Sequence, residues 1–305
     1  MMARRARAAV VALTCSSALF LAAPDGSFGG ASALAFCRST TCARSDCATD
    51  FDGCKTEGEP LWWATQCVSF SLQEDGSQHI DFEVFHQVAS RCAAEWSQRE
   101  CDGGGLSTMA FSEEEPAIVH RTEYNQSGGN ANVIMFQDTK WRYEGTDNTL
   151  AKTTVTYDKE TGEIFDADIE LNHAYNEFTT GDDEVVYDLQ SILTHEMGHF
   201  IGLDHTPDFA ATMNAGYQVQ STELRDLAED DLLALCAVYP PERDAKCAPT
   251  PRGGFSPYEG GVPPADGGCS LAPTRDGGLP DRPGELVLLL GLGAALGLRR
   301  REGGR

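Results

Sequence analysis

The sequence predicts an α+β fold, a twisted mixed sheet with helices packed on it, and three observations carry that prediction. Short β-branched or alternating runs recur at 67–72, 132–136, 153–157 and 166–172. Two longer stretches, 81–96 and 188–200, switch to a helical period. A third helical stretch, 228–239, closes the pattern in front of Pro240-Pro241. With 305 residues, the chain can bury one ordinary core and carry extra segments at its ends.

Taken in order, Arg4, Arg5 and Arg7 lead into the apolar run Ala8 to Ala23 and a small-residue stretch ending Ala33-Leu34-Ala35. Positive charge, apolar core and Ala-x-Ala in that order read as a secretory signal peptide over 1–35, cut before Phe36. A membrane anchor fits less well, because the apolar run is short and passes directly into small and polar residues. Cys15 departs with this segment. Cys37, Cys42, Cys47, Cys54, Cys67, Cys92, Cys101, Cys236, Cys247 and Cys269 remain, an even set that an oxidising compartment pairs as disulfides. Spacing leaves the connectivity open, and the absence of Cys-x-x-Cys knuckles argues against a zinc ribbon.

Residues 36–60 are rich in Cys, Thr, Asp and Gly without apolar period, and read as a disulfide-held lead-in to a domain over 61–240. Within that domain Val68, Phe70 and Leu72 share one strand face. Phe82, Phe85, Ala89, Cys92 and Trp96 form one helical stripe that ends before Gly103-Gly104-Gly105. Thr153 to Tyr157, the turn Asp158 to Gly162, and Asp166 to Asn172 predict a hairpin. Leu189, Ile192, Leu193, Met197 and Phe200 face the core from the next helix.

Residues 241–284 are Pro- and Gly-rich and read as a linker. Over 285–305 lies an apolar tail, with Leu286 to Leu298 closed by Arg299, Arg300 and Arg301. That run is short for a stable span of about 20 residues but long enough for transient membrane contact. Together with Gly268-Cys269-Ser270, it resembles the sorting tails of myxobacterial surface proteins, which implies cleavage near Cys269 and surface display. The net charge of -24, from 47 acidic against 23 basic residues, repels a phosphate backbone and excludes nucleic acid as a partner. The chain is therefore expected to be secreted or surface-displayed, and monomeric.

The chemistry concentrates in His195-Glu196-Met197-Gly198-His199-Phe200-Ile201-Gly202-Leu203-Asp204-His205. Residues four apart on a helix share a face, so His195 and His199 can aim at one ion. Gly202 can take a left-handed conformation and break the helix, which returns His205 as a third ligand from another direction. Three imidazoles suit zinc rather than calcium or magnesium. Glu196, rotated about 100° from His195, misses the ion and is placed to act as general base on a water beside it.

The spacing HExxHxxGxxH is the metzincin signature, and the chain resembles that family of zinc peptidases. Thr212-Met213-Asn214 sits where a metzincin carries the methionine beneath its metal, and Met213 takes that role by resemblance. The short gap from His205 to Met213, the Asp166-Ala167-Asp168-Ile169 segment and a closing helix with Leu227, Asp230 and Asp231 are most similar to the matrixins. The resemblance implies a metzincin-like domain over about 61–240, with Thr153 to Tyr157 as an antiparallel edge strand that accepts an extended peptide. It implies zinc-dependent endopeptidase action on protein or peptide substrates.

Several positions depart from the pattern or carry two readings. The lead-in lacks the PRCGxPD motif of matrixin propeptides. Asp166 and Asp168 are candidate calcium ligands, against the plainer reading of solvated strand carboxylates. His173 is a candidate for a second zinc, against a solvent-facing histidine. Tyr217 is not placed among the ligands. Two alternatives to the endopeptidase stay open: a non-catalytic surface binding protein on this scaffold, and a hydrolase of small amides.

Overall fold

The computed structural model describes residues 36–143, 149–262 and 284–291, the last through its backbone. The described residues all lie in one compact unit, which begins at residue 34. The expected signal peptide, the cut near Cys269 and the Arg299 to Arg301 cluster fall outside the described residues. Among those described, no helix is long and apolar enough to cross a membrane.

The elements, in chain order, are β1 (Cys37–Arg38), β2 (Cys67–Leu72), α1 (Phe82–Trp96), β3 (Ala110–Glu113), β4 (Val133–Phe136), β5 (Thr149–Tyr157), β6 (Ile164–Leu171), β7 (Phe178–Thr179), β8 (Tyr187–Asp188), α2 (Leu189–Phe200), β9 (Leu203–Asp204), α3 (Glu229–Val238) and β10 (Gly284–Gly291). The main sheet runs β10-β5-β6-β4-β2-β3. Strands β3, β2, β4 and β6 are parallel, while β5 is antiparallel to β6 and β10 is antiparallel to β5. The expected mixed sheet is present. Its antiparallel strand β5 is not outermost, because β10 covers its far side.

Alternation along each strand sorts the two faces. Val68, Phe70, Leu72, Ile134, Phe136, Ala167, Ile169 and Leu171 join Phe85, Ala89, Trp96, Leu189, Ile192, Leu193 and Met197 of α1 and α2 in one buried core. Each fully buried large apolar side chain there contributes about 1.5–3 kcal/mol relative to exposure. Both helices are started by aspartates. Asp81 accepts the Glu83 N–H at 2.9 Å, and Asp188 accepts the Ser191 N–H at 2.8 Å. The indole of Trp96 donates to the Thr194 carbonyl at 2.8 Å and sets α1 against α2.

On the opposite face Val133 and Met135 pack with Ala117, Val119, Ala131 and Phe255 in a second, smaller cluster. The structure corrects three expectations, two of them through this layer. Residues 243–262 are not a free linker, since Cys247 is bonded to Cys67, Ser256 N–H donates to the Asn130 carbonyl and Arg252 lies over the Phe165 ring. A segment without period can still be fixed by a disulfide and main-chain hydrogen bonds. Asp166 and Asp168 are not solvated, each being 2% exposed. Asp168 instead accepts the Val133 N–H at 2.8 Å and the Glu123 N–H at 3.0 Å, fastening the covering loop to the sheet, and burial raises the pKa of both acids. The side chain of His173, read as a second-zinc candidate or as solvent-facing, is only 5% exposed and lies beside Ser77 and Asp138, with Nδ1 2.8 Å from Ser77 Oγ.

The cysteines also depart from complete pairing. Bridges join Cys37–Cys54, Cys42–Cys47, Cys67–Cys247 and Cys101–Cys236. Cys92 is a buried free thiol on α1, near the Gln190 carbonyl at 3.4 Å, and burial pushes its pKa up to about 12. It serves as a small apolar core residue. Cys269 lies outside the described residues.

The Cys67–Cys247 bridge spans 180 residues, so its loss frees a long loop in the unfolded chain. The double variant C67S/C247S should lose about 2–5 kcal/mol of stability. Urea denaturation of the two proteins checks this, and coincident midpoints would show that the bridge adds nothing.

Candidate metal centre

Helix α2 brings His195 and His199 to one side by a single turn, and every residue of the helix except Gln190 is buried. The chain then leaves the helix at Gly202, whose φ is +92°. A Cβ there would stand 2.6 Å from the Leu61 carbonyl oxygen, so both the backbone sign and the close approach require glycine. After this turn, β9 pairs with β1, Cys37 opposite Asp204 and Arg38 opposite Leu203. Ser39 N–H donates to the Gly202 carbonyl at 3.0 Å, and Lys55 pairs with Asp204 at 2.9 Å. The lead-in therefore braces the loop that delivers His205.

The three Nε2 atoms converge. His195 lies 3.1 Å from His199 and 3.2 Å from His205, and His199 lies 3.1 Å from His205. His195 Nδ1 donates to the Thr212 carbonyl at 2.6 Å and His199 Nδ1 to the Leu203 carbonyl at 2.9 Å. A carbonyl can only accept, so each of these rings keeps its proton on Nδ1 and presents a lone pair at Nε2. Burial, and then the neighbouring imidazoles, hold the pKa of His195 and His199 well below the usual range, so the rings are neutral.

Lone pairs this close repel one another unless a cation lies between them. Zinc bonds of about 2.0–2.1 Å in a tetrahedron set donor separations of about 3.3–3.4 Å, close to those observed. Among the described residues this is the one group of three His, Cys, Asp or Glu side chains whose ligand atoms lie within 4.8 Å of one another. The donor set, all nitrogen, fits zinc and not an oxygen-seeking ion. His173 and Tyr217 stand outside it. Tyr217 OH donates to the Ser221 carbonyl at 2.7 Å and accepts the Asp188 N–H at 2.8 Å.

Glu196 is fully buried on the same helix. Thr153 of β5 donates its hydroxyl to Glu196 Oε2 at 2.5 Å, while Oε1 has no hydrogen-bond partner among the described residues. Burial pushes this carboxyl up to about 8 against the downward pull of Thr153. One oxygen is thus fixed by the sheet and the other is left to accept a proton.

Met213 lies against the middle of the same helix. A Cβ on Gly198 would fall 2.1 Å from Met213 Sδ and 3.0 Å from Trp96 Cζ2. Asp231 of α3 holds the turn that carries Met213, accepting the N–H groups of Thr212 at 2.7 Å, Met213 at 3.0 Å and Ala228 at 2.9 Å. Burial pushes Asp231 up to about 6. Since the carbonyl of Thr212 orients His195, Asp231 acts on the triad through a single peptide unit. The sequence reading gives Thr153, Gly198 and Asp231 no place at the metal site; it uses Asp231 only for the family likeness and Thr153 only as a strand residue. Their contacts connect distant parts of the chain, and only the Met197-Gly198 step inside the histidine motif hints at close packing.

Comparison with known proteins agrees with this geometry. The sequence model described as Matrixin matches residues 63–240, more than half of the chain. Metalloendoproteinase 1-MMP of Arabidopsis thaliana is 36% identical over 61 residues, an alignment covering 20% of this chain and 16% of that protein's length.

Two variants test the support beneath the triad. Gly198→Ala must displace Met213 and should cost about 1–3 kcal/mol through overpacking. Asp231→Asn turns an amide donor toward backbone N–H groups and should cost about 1–3 kcal/mol. Both should retain less metal after dialysis, measured as zinc per protein by elemental analysis; full retention with wild-type stability would refute the assignment.

Proposed function

This chain belongs to the matrixin family, and from that premise we propose that it is a zinc-dependent metalloendopeptidase that hydrolyses peptide bonds in protein or peptide substrates. The single observation that carries this reading is the meeting of three neutral Nε2 lone pairs beside a buried carboxylate with one oxygen free. His195, His199 and His205 would hold the ion. A bound zinc ion supplies Lewis acidity, which lowers the pKa of a water toward 7 and polarises the scissile carbonyl.

The protein's own groups do the rest. Glu196 accepts the proton of the attacking water on Oε1 while Thr153 keeps the carboxylate from turning away. The water oxygen bonds to the carbonyl carbon, the C–N bond breaks, and Glu196 returns the proton to the leaving amine. Gly202 and Met213 support the ligands from below and behind without touching the substrate. Main-chain pairing along β5 would hold the peptide extended across this carboxylate.

A binding scaffold would have little use for Glu196, because only one of its buried oxygens is satisfied, by Thr153, and leaving the other without a partner lowers stability. With segment 1–35 read as an export signal and the apolar segment 285–305 as a sorting and transient membrane element, the enzyme would work outside the cell or on its surface.

In a casein digestion assay, Glu196→Ala should keep stoichiometric zinc and lose at least about 10³-fold in kcat/KM. Chelation should abolish cleavage by the wild type and zinc should restore it. Equal digestion by wild type and variant would reject Glu196 as the base.

A further inference from the structure

Strand β5 has two hydrogen-bonding edges. One is used by β6, and along the other lies the protein's own segment 284–291, antiparallel, from Gly284 opposite Tyr157 to Gly291 opposite Thr149. This second edge runs beside the candidate centre, because Thr153, the residue that fixes Glu196, is paired with Leu288. All of Thr149–Tyr157 is buried, unlike a strand waiting with an open edge.

We propose that segment 284–291 is a built-in substrate mimic: it occupies the main-chain edge of β5 that an extended peptide needs, and keeps the protein latent until it leaves. The inference rests on the peptidase reading of the triad. Strand addition depends on main-chain hydrogen bonds and so accepts many sequences, including an apolar run such as Glu285-Leu-Val-Leu-Leu-Leu290 with no proline in it. The segment belongs to the same chain, so its effective concentration at β5 can reach the millimolar range that a free substrate must outcompete. The lead-in carries no PRCGxPD motif, and its first strand is paired with β9 rather than lying along β5. A merely protective edge cover would also suit β10, and the two roles separate by experiment.

The test uses the full chain and its L286P/L289P variant, since proline cannot donate to a ladder and the two positions have opposite parity along the strand. Amide hydrogen exchange along 149–157 should be at least tenfold faster in the variant, with an unchanged melting temperature for the core. Cleavage of a labelled casein peptide should rise at least tenfold in kcat/KM, mainly through KM. A synthetic peptide of residues 284–291 added to the variant should inhibit competitively. Equal exchange in the two proteins overturns the placement of the segment. Faster exchange with unchanged kcat/KM overturns its gating role and leaves only edge protection. In the Glu196→Ala background the same labelled peptide should bind at least tenfold more tightly when the prolines are present. Tighter binding there, with no cleavage by any protein that keeps Glu196, would sink the peptidase reading and leave this inference standing.

Discussion

The architecture depends on forcing three imidazole nitrogens into mutual contact without letting them protonate. Left to themselves, three buried lone pairs about 3 Å apart are an unfavourable arrangement, and the surrounding fold must hold them there. Two carbonyls do this directly. Thr212 and Leu203 take the Nδ1 protons of His195 and His199, and thereby fix both the ring orientation and the tautomer. Every layer behind them serves to keep those two carbonyls still.

The supports come from widely separated parts of the chain. Thr212 is immobilised by Asp231, and Met213 fills the volume that Gly198 leaves open. The end of the helix is fixed by Trp63 Nε1 on the Phe200 carbonyl at 2.8 Å and by Tyr239 OH on the Ile201 carbonyl at 2.7 Å. From the sheet, Thr153 reaches across to the acid. A site built this way is preorganised, because the groups that hold the ligands are themselves buried and bonded.

Much of this was legible in the residues. The histidine motif is local, so its geometry follows from helix pitch and one glycine, and the expected positions of β2, α1, β4, the β5–β6 hairpin, α2 and α3 agree with the structure to within a few residues. What the sequence concealed was non-local. Strand β3 is four residues of mixed polarity that pair because β2 offers an edge. Asp166 and Asp168 sit on the polar side of an alternating strand, which ordinarily means water, and only the folding back of 115–131 and 249–262 buries them. The helical stripe places Cys92 toward the core, but an even count of cysteines suggests a partner for it, and its burial as a free thiol follows only from the packing of α1. His173 stays hidden for the same reason, since Ser77 and Asp138 reach it from the ends of other strands.

The short ladder between β1 and β9 has a consequence for how the protein is made. A chain that emerges amino end first displays residues 37–38 long before residues 203–204 exist, so the loop carrying the last ligand cannot be completed until most of the domain has appeared. Disulfides linking 67 with 247 and 101 with 236 impose the same delay. Completion of the histidine triad is thereby a late event in folding, and a half-synthesised chain lacks the contacts that brace its last member.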